Sequence, residues 1–334
     1  MALLLIDQQG ADLRKEGDHL LLLLEDGSQK IVRTADLDEV IVQGAVAFSS
    51  PAAALLLEKG IPVVFLDYHG NYLGRLVSST RQATPYASLR LLQYQVASDP
   101  ARRLPLARAM VRGKIENMRV LLMRYARERA SPLLSDNAAR LQSLLERLTT
   151  ADNLPSLLGL EGAASRLYFE ALPEMLLPDL PFAQRRRHPP PDCVNALLGF
   201  AYALLSAALH SAVETAGLDP YLGFLHGVSD RRPALVLDLC EEFRACFADS
   251  LTLRAFNTRQ ITEADFDPTD RGPRLKESKR EDFVRNFWKR LDSSVIHPML
   301  GQSMTWRQVF LAQARAIRKC LEQPQTEYQP FLVR

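Results

Sequence analysis

The stretch Ser78-Ser79-Thr80-Arg81-Gln82-Ala83-Thr84-Pro85 divides this chain of 334 residues into two parts with different sequence patterns. The stretch has neither the two-residue period of a strand nor the helical period, and it ends in a proline. Short apolar runs precede it, and long helical patterns follow it. The sequence therefore predicts an α+β protein of two domains: a small, mainly β domain over residues 1–83 and a larger all-α domain over residues 84–334.

The N-terminal part contains short runs rich in Leu, Ile and Val, separated by turn residues. These runs predict strands at Leu3–Ile6, His19–Leu24, Lys30–Thr34, Glu39–Gln43 and Pro62–Leu66. One short helix interrupts them, with Ser50 as the predicted N-cap, Pro51 at the first helical position and Gly60 beyond the end. The pattern indicates a β domain with a single helix.

The C-terminal part has helical periodicity almost throughout. The predicted helices are Ser88–Ala97, Pro100–Glu128, Ser135–Leu148, Leu160–Leu172, Asp192–Thr215, Ser278–Leu291 and Thr305–Glu322. Asp192, which follows three prolines, is the predicted N-cap of its helix. The apolar run at residues 196–209 is too short to cross a bilayer and predicts a buried helix rather than a membrane span.

The charges are distributed unevenly between the two parts. Residues 1–83 hold 7 Lys and Arg against 11 Asp and Glu (−4), which leaves 34 against 28 (+6) for residues 84–334. Within the second part, Arg102–Arg129 carries nine basic residues and two acids. Such a segment is suited to a polyanion, with nucleic acid as the leading candidate, or forms a solvated helix face.

Bulk composition favours an ordinary globular protein, with 47% hydrophobic and 24% charged residues. The four cysteines form no CxxC pair and are too few for a secreted disulfide scaffold, so they are predicted to be reduced core residues. The N-terminal sequence does not resemble a signal peptide. These features predict a cytoplasmic protein.

Three separate stretches place an acid or a histidine among apolar residues or glycines: Glu161, His226, and the pair Glu241 and Glu242. A buried carboxylate or imidazole must be hydrogen-bonded, paired or metal-bound, and two carboxylates with one imidazole suit Mg²⁺ or Mn²⁺. Asp238 shares a helix face with Glu241 or Glu242 and could orient a metal ligand from behind. Taken singly, each residue also has a structural explanation: a helix start for Glu161, a core or loop histidine for His226, and a solvated helix surface for the acids.

A run of three arginines, Arg185, Arg186 and Arg187, precedes the three prolines. Guanidinium groups bind phosphates through a planar fork of donors. The run predicts either contacts to a phosphate backbone or an exposed loop.

The order and spacing of several motifs resemble the CRISPR-associated endonuclease and integrase family that captures spacers. The resembling motifs in the C-terminal part are Arg112-Gly113-Lys114-Ile115 with Asn117, Gly159-Leu160-Glu161-Gly162 with Ser165-Arg166, Arg186-Arg187 with Pro189-Pro190, Asp192–Leu197, Gly223–Gly227 and Leu237–Arg244. In the N-terminal part they are Gly60-Ile61-Pro62-Val63, Phe65-Leu66-Asp67 and Gly74-Arg75-Leu76. The resemblance thus covers nearly the whole chain.

The resemblance implies an N-terminal β domain, which is predicted to be the dimerisation domain, a helical catalytic domain, and a homodimer that binds double-stranded DNA. It assigns an Mg²⁺ or Mn²⁺ site to Glu161, His226 and Glu241, with Asp238 as a supporting acid. Some branches of the family have aspartate at the position of Glu241. It also implies a small ferredoxin-like partner protein, a dimer of which bridges two integrase dimers.

In that setting, the predicted DNA contacts are Lys114, Arg166, Arg185, Arg186, Arg187 and Arg244. The expected reaction is attack by the 3′ hydroxyl of spacer DNA on a phosphodiester of the CRISPR repeat. Two other classes stay open: a stand-alone metal-dependent nuclease on branched or double-stranded DNA, and a non-catalytic helical DNA-binding scaffold.

Overall fold

The structure is a computed structural model that describes residues 3–37, 39–68, 70, 72–76, 78, 86–177, 179–186 and 189–333. The chain forms two compact units, Met1–Pro85 and Tyr86–Arg334. The protein is mixed α/β, and its strands are concentrated in the smaller N-terminal unit.

Among its described residues, the N-terminal unit contains two four-stranded sheets, the α-helix α1 (Ser50–Lys59) and a short 3-10 helix at Thr34–Asp36. Its strands are β1 (Leu3–Ile6), β2 (Asp12–Glu16), β3 (His19–Leu23), β4 (Gln29–Arg33), β5 (Glu39–Gln43), β6 (Ala47–Phe48), β7 (Val63–Leu66) and β8 (Tyr72–Leu76). One sheet has the order β1-β5-β7-β8, in which the first three strands are parallel and β8 is antiparallel. The other has the order β4-β3-β2-β6. Leu, Ile and Val side chains of both sheets pack with α1 into one hydrophobic core.

Two details of this unit differ from the sequence prediction. The N-cap of α1 is Ser49 rather than Ser50, because the Ser49 hydroxyl accepts from the amide of Ala52 at 3.4 Å. Strands β2, β6 and β8 were not predicted. The sequence of β2 is mostly charged, with Leu13 as its buried apolar residue, so its strand conformation comes from pairing with β3 and β6 on either side.

The C-terminal unit is built mainly from nine helices within the part of the chain that the structure describes. They are α2 (Tyr86–Ser98), α3 (Pro100–Arg129), α4 (Pro132–Leu148), α5 (Leu154–Ala171), α6 (Cys193–Thr215), α7 (Ala234–Phe243), α8 (Ser250–Asn257), α9 (Glu277–Leu291) and α10 (Trp306–Glu322). A π-helical segment, Arg244–Asp249, joins α7 directly to α8. The long α3 packs against α4, α5 and α7, so three elements meet around it.

The prediction of an all-α C-terminal domain was wrong in detail. Two short antiparallel pairs of strands occur, β9 (Phe266–Asp267) with β10 (Arg274–Leu275) and β11 (Ser294–Ile296) with β12 (Ser303–Thr305). Each strand is two or three residues long, too short for an apolar alternation to be visible in the sequence.

Helix boundaries in this unit follow their caps. The prediction that Asp192 caps α6 is confirmed, since its side chain accepts from the amide of Asn195 at 2.7 Å. The predicted start of α5 at Leu160 is wrong, because Asn153 caps this helix and Pro155 lies in its first turn. Glu161 therefore lies inside α5 rather than at its start. Helix α8 was not predicted, and α7 was anticipated only as the helix on which Asp238 shares a face with Glu241 or Glu242, without bounds.

Helix α6 has 23 residues and is apolar enough to meet the length and composition criteria for a membrane span, which core helices also meet. Here α6 packs against α7 and α10, and 56% of its apolar 18-residue stretch is buried. All four cysteines are free thiols, with Cys193, Cys240 and Cys246 buried and Cys320 partly exposed.

Candidate active site

Two predicted metal ligands meet at one lysine. Glu161 on α5 and Glu241 on α7 both contact the ammonium of Lys114 on α3, and the Lys114 Nζ to Glu241 Oε2 distance is 2.6 Å. The Lys114 and Glu241 side chains are 4% and 3% exposed, whereas Glu161 is 21% exposed. Ser165, one turn along α5, donates to Glu161 Oε1 at 3.0 Å. Three helices thus bring two carboxylates from distant parts of the sequence to one point.

Glu241 is a buried carboxylate between two cations. Its Oε1 accepts from Arg244 Nη1 at 2.5 Å, while Oε2 faces Lys114. Burial alone would raise the pKa of Glu241, but Arg244 and Lys114 outweigh it and lower the pKa to about 2. The carboxylate is therefore ionised at neutral pH, the form required to bind a metal ion or to pair with a cation.

His226 is oriented by Asp238, a fully buried carboxylate on α7. Asp238 Oδ1 lies 2.7 Å from His226 Nδ1 and also accepts from the His226 amide at 2.9 Å. Its Oδ2 accepts from the amides of Phe224 and Leu225 at 2.5 and 2.9 Å. The hydrogen bond to Asp238 raises the pKa of His226. Because Nδ1 faces Asp238, Nε2 is the ring nitrogen directed away from it.

Gly223 allows this loop to approach Asp238. A Cβ at Gly223 would lie 2.8 Å from backbone and side-chain carbons of Ala234 and 2.9 Å from Asp238 Oδ2. Any larger residue would push the loop away from α7. Close packing thus requires glycine at position 223, three residues before His226, and this glycine allows the contact by which Asp238 orients the imidazole.

Glu242 points away from the site that contains Glu241. It is fully buried, and its carboxylate accepts from the hydroxyl of Tyr328 and from the amide of Phe331, at 2.6 and 2.9 Å. Burial raises the pKa of Glu242 to about 7. The idea that these acids form a solvated helix surface is therefore wrong for both glutamates.

A cavity of about 690 Å³ opens beside Glu161 and Lys114. Its charged and aromatic lining includes Lys114, Glu161, Arg166, Phe169, Glu170, Arg185, Tyr202 and Arg244. The Tyr202 ring lies between two guanidinium groups, 5.3 Å from Arg185 and 5.1 Å from Arg244. Its hydroxyl donates to the buried Asp249 at 2.7 Å. The hydrogen bond to Asp249 thereby holds the Tyr202 ring in place, and both arginines lie against that ring at the cavity.

Tyr202 and Asp249 were missed by the sequence analysis. Tyr202 lies in the apolar pattern of α6, where an aromatic residue indicates only a core position. Asp249 lies at the end of the π-helical segment, whose wider turn changes the helical spacing used to judge shared faces. Only the folded arrangement brings them to the cavity.

The predicted DNA contacts fall into three groups. Arg166 and Arg186 are exposed. Arg185 is half-buried and donates to the side-chain oxygen of Asn195 at 2.9 Å. Lys114 is buried, Arg244 is 11% exposed, and both are ion-paired with carboxylates, which differs from a simple basic surface. Arg187 lies outside the described residues.

The donor set fits a divalent cation by its chemistry, since two carboxylates share one positive charge and Glu241 interacts electrostatically with an imidazole that Asp238 orients. Among residues that the structure describes, no three His, Cys, Asp or Glu side chains converge closely enough to hold an ion as they stand. Glu161 and Glu241 converge instead on the ammonium of Lys114. The carboxylates are thus gathered and neutralised by a cation that belongs to the chain.

Comparison with known proteins gives one consistent result. The family model described as CRISPR associated protein Cas1 matches residues 4–289. The CRISPR-associated endonuclease Cas1 3 of Thermus thermophilus is 36% identical over 326 residues, which cover 97% of this chain and 95% of that protein.

Two solved structures have similar folds. A Cas1 protein from Thermotoga maritima has a TM-score of 0.80 and 25% identity, covering 98% of this chain and 99% of that chain. A chain of a Cas6-RT-Cas1–Cas2 complex has a TM-score of 0.81 and 25% identity, covering 99% of this chain and 36% of that chain. From the family match and the extent of these similarities, we conclude that this chain belongs to the Cas1 family of CRISPR-associated proteins.

Proposed function

We propose that this protein is a metal-dependent DNA endonuclease and integrase of CRISPR adaptation, which joins the 3′ ends of spacer DNA to the CRISPR repeat. The observation that carries the proposal is the convergence of Glu161 and Glu241 on one cation, together with the electrostatic interaction of Glu241 with His226, which Asp238 orients. Family membership supports a nuclease of CRISPR adaptation, since the Thermus thermophilus relative is named an endonuclease.

Glu161, His226 and Glu241 would hold Mg²⁺ or Mn²⁺, because carboxylate oxygens with one imidazole suit these ions. When bound, the ion would polarise the reacting phosphate and stabilise charge on the attacking and leaving oxygens. Asp238 contributes by holding Nδ1 of His226, which presents Nε2 as the ligand atom. Lys114 contributes a second positive charge beside both carboxylates.

The cationic residues at the cavity would hold the DNA backbone. Arg185 and Arg244 are stacked on Tyr202, and Arg166 lines the same cavity. Because these guanidinium groups are already ordered, they can donate to phosphate oxygens with little further loss of conformational entropy on binding. Such contacts read the backbone rather than the bases.

The proposed reaction exchanges one phosphodiester for another. The spacer 3′ oxygen forms a bond to a phosphorus atom at the edge of the repeat as the bond from that phosphorus to the repeat's own 3′ oxygen breaks. The attacking hydroxyl loses its proton, and the leaving oxygen takes one up. Water in place of the spacer hydroxyl would give nuclease activity at the same centre.

The proposal includes assembly and location. Like the chain in the Cas6-RT-Cas1–Cas2 complex, this protein would assemble with a Cas2 protein. That the partner is a small ferredoxin-like protein is implied by the family resemblance and stays a prediction. The homodimer, the dimerisation role of the N-terminal domain and the cytoplasmic location remain predictions.

An integration assay with metal removal tests the proposed function. The protein and its partner are incubated with labelled spacer DNA and a supercoiled plasmid that carries the repeat. We expect plasmid-linked label with Mg²⁺ or Mn²⁺ and none with a chelator, because both carboxylates are proposed to act through the ion. Cleavage without joining would instead favour a stand-alone nuclease. DNA binding with neither reaction under any metal would favour a non-catalytic scaffold.

A second prediction concerns the exposed arginines. Replacing both Arg166 and Arg186 with alanine should weaken DNA binding and lower the slope of log affinity against log salt by about 2, roughly one for each lost phosphate contact. Fluorescence anisotropy over a salt series measures both quantities. Arg33→Ala, at an arginine in the N-terminal unit that is 71% exposed, is the matched control. An unchanged slope in the double variant would assign these arginines to an exposed loop without DNA contacts.

A further inference from the structure

The C-terminal segment Tyr328–Val333 is bound to the rear of the helix that carries Glu241. Glu242, next to Glu241 on α7, accepts from the hydroxyl of Tyr328 at 2.6 Å and from the amide of Phe331 at 2.9 Å. It also accepts from Gln313 of α10 at 3.1 Å. All three donors satisfy one fully buried carboxylate. The segment and α7 are therefore connected directly behind the active site.

A second buried side chain connects the same segment to α3. Asn117 Nδ2 donates to the carbonyl oxygens of Glu242 and Phe331 at 2.7 and 2.8 Å. Its Oδ1 accepts from the amide of Val333 at 2.8 Å. Asn117 is fully buried and lies one helical turn beyond Lys114. One amide side chain thus joins α3, α7 and the C-terminal segment.

Close packing supports these hydrogen bonds. A Cβ at Gly113, the residue before Lys114, would lie 2.7 Å from Pro330 and 2.9 Å from the Glu242 side chain. Glycine at this position lets the C-terminal segment and α7 approach α3. These contacts thereby set the spacing between α3 and α7 at the level of Lys114 and Glu241, on the side of the two helices that contacts the C-terminal segment.

We propose that Tyr328, Asn117 and Glu242 are positioning residues, and that segment 328–333 fixes Glu241 relative to Lys114 and Glu161. The ion pair at the front cannot set this geometry alone, because a lysine side chain has a flexible four-carbon stem. The buried hydrogen bonds at the rear have defined directions and join backbone to backbone through one amide. The inference rests on the proposed function, since it assigns the segment to the metal site.

Tyr328→Phe tests the inference, because it removes one hydroxyl and keeps the ring. We measure how Mn²⁺ raises the unfolding temperature, which reports binding without activity, and the Mn²⁺ concentration that gives half-maximal DNA cleavage. The Mn²⁺ concentration that gives half of the maximal rise in unfolding temperature and the one that gives half-maximal cleavage should both rise by about tenfold. This is the usual effect of losing a group that supports a metal ligand. The maximal cleavage rate at saturating Mn²⁺ should return to near the wild-type rate.

Tyr125→Phe is the matched control. Tyr125 is also buried, lies on α3, and its hydroxyl accepts from Asn257 rather than contacting Glu242. Its hydrogen bond with Asn257 is 3.4 Å long, so we expect a smaller loss of stability than in Tyr328→Phe and no change in the half-saturating Mn²⁺ concentrations. A chain ending at Pro330 removes the Phe331 and Val333 amide donors and should have a larger effect than Tyr328→Phe. If that chain does not fold, the comparison of the two tyrosine variants decides.

Equal half-saturating Mn²⁺ concentrations for wild type, Tyr328→Phe and Tyr125→Phe would overturn the positioning role and leave the proposed function intact. A wild-type protein with neither a Mn²⁺-dependent rise in unfolding temperature nor cleavage would overturn the proposed function, and the positioning role with it.

Discussion

Replacing Glu161, His226 or Glu241 with alanine should reduce metal-dependent strand transfer and cleavage by on the order of 10³-fold, because each variant removes one proposed metal ligand. DNA binding should change little, since these side chains do not belong to the exposed basic surface. Integration products measured on the repeat-bearing plasmid, with anisotropy for DNA binding, separate the two effects. Glu170→Ala is the matched control, because Glu170 is an exposed acid on α5, the helix that carries Glu161, and it lines the cavity that Glu161 also lines.

The three variants should differ in stability. Glu161 is 21% exposed, so its loss is tolerated more easily than that of Glu241, which is 3% exposed and compensates both Lys114 and Arg244. Removing that carboxylate leaves the buried Lys114 and the largely buried Arg244 with less compensation, which costs about 3–5 kcal/mol in comparable cases. Glu241→Gln, which keeps the shape, is therefore the companion variant. Full activity in all of the alanine variants would sink the assignment of the metal site.

Replacing Asp238 with alanine should lower both stability and activity. The buried carboxylate accepts from three backbone amides, those of Phe224, Leu225 and His226, and contacts the His226 ring. Alanine leaves these amides without their acceptor, which should cost roughly 3–5 kcal/mol of unfolding free energy when the individual penalties are combined. Chemical denaturation measures that loss.

Asp238→Asn separates the effect on chemistry from the effect on stability. One amide oxygen can still accept from Phe224 and Leu225, while the amide nitrogen would donate to Nδ1 of His226. That arrangement moves the ring proton to Nε2, the atom proposed to bind the metal. Activity should fall by about 10- to 100-fold with a smaller loss of stability than in Asp238→Ala. Wild-type activity in Asp238→Asn would show that the tautomer of His226 is unimportant.

The sequence predicted the change of architecture near residue 85 and most strands of the N-terminal unit, because apolar runs between turn residues are local signals. It also predicted the cap of α6 from Asp192. It did not predict β2, whose charged residues become a strand only through pairing on both sides. Nor did it predict the bounds of α7 or the π-helical segment that follows it, whose wider turn breaks the regular spacing of apolar residues.

The candidate site, like the fold, could be predicted only in part from local sequence signals. Glu161, His226 and Glu241 were singled out by their apolar surroundings, but the connection of the two glutamates through Lys114 was not. A signal was present, because Lys114 lies on the same helical stripe as the buried residues Met110, Val111 and Met118. A lysine in a buried stripe predicts an ion pair. Its partners could not be named, since they lie 47 and 127 residues away and only packing of three helices brings them together.

The lysine between the two carboxylates also bears on how this protein is made in the cell. Proteins whose acidic ligands repel one another until an ion arrives depend on that ion in order to fold. Here Lys114 supplies an opposing charge to both carboxylates from within the chain, so we expect the helical unit to fold without an ion. An ion that binds as proposed would have to compete with that ammonium group, so its occupancy would follow the ion concentration around the protein. Folding and metal loading would then be separate events, and folded protein could accumulate before the proposed ion binds.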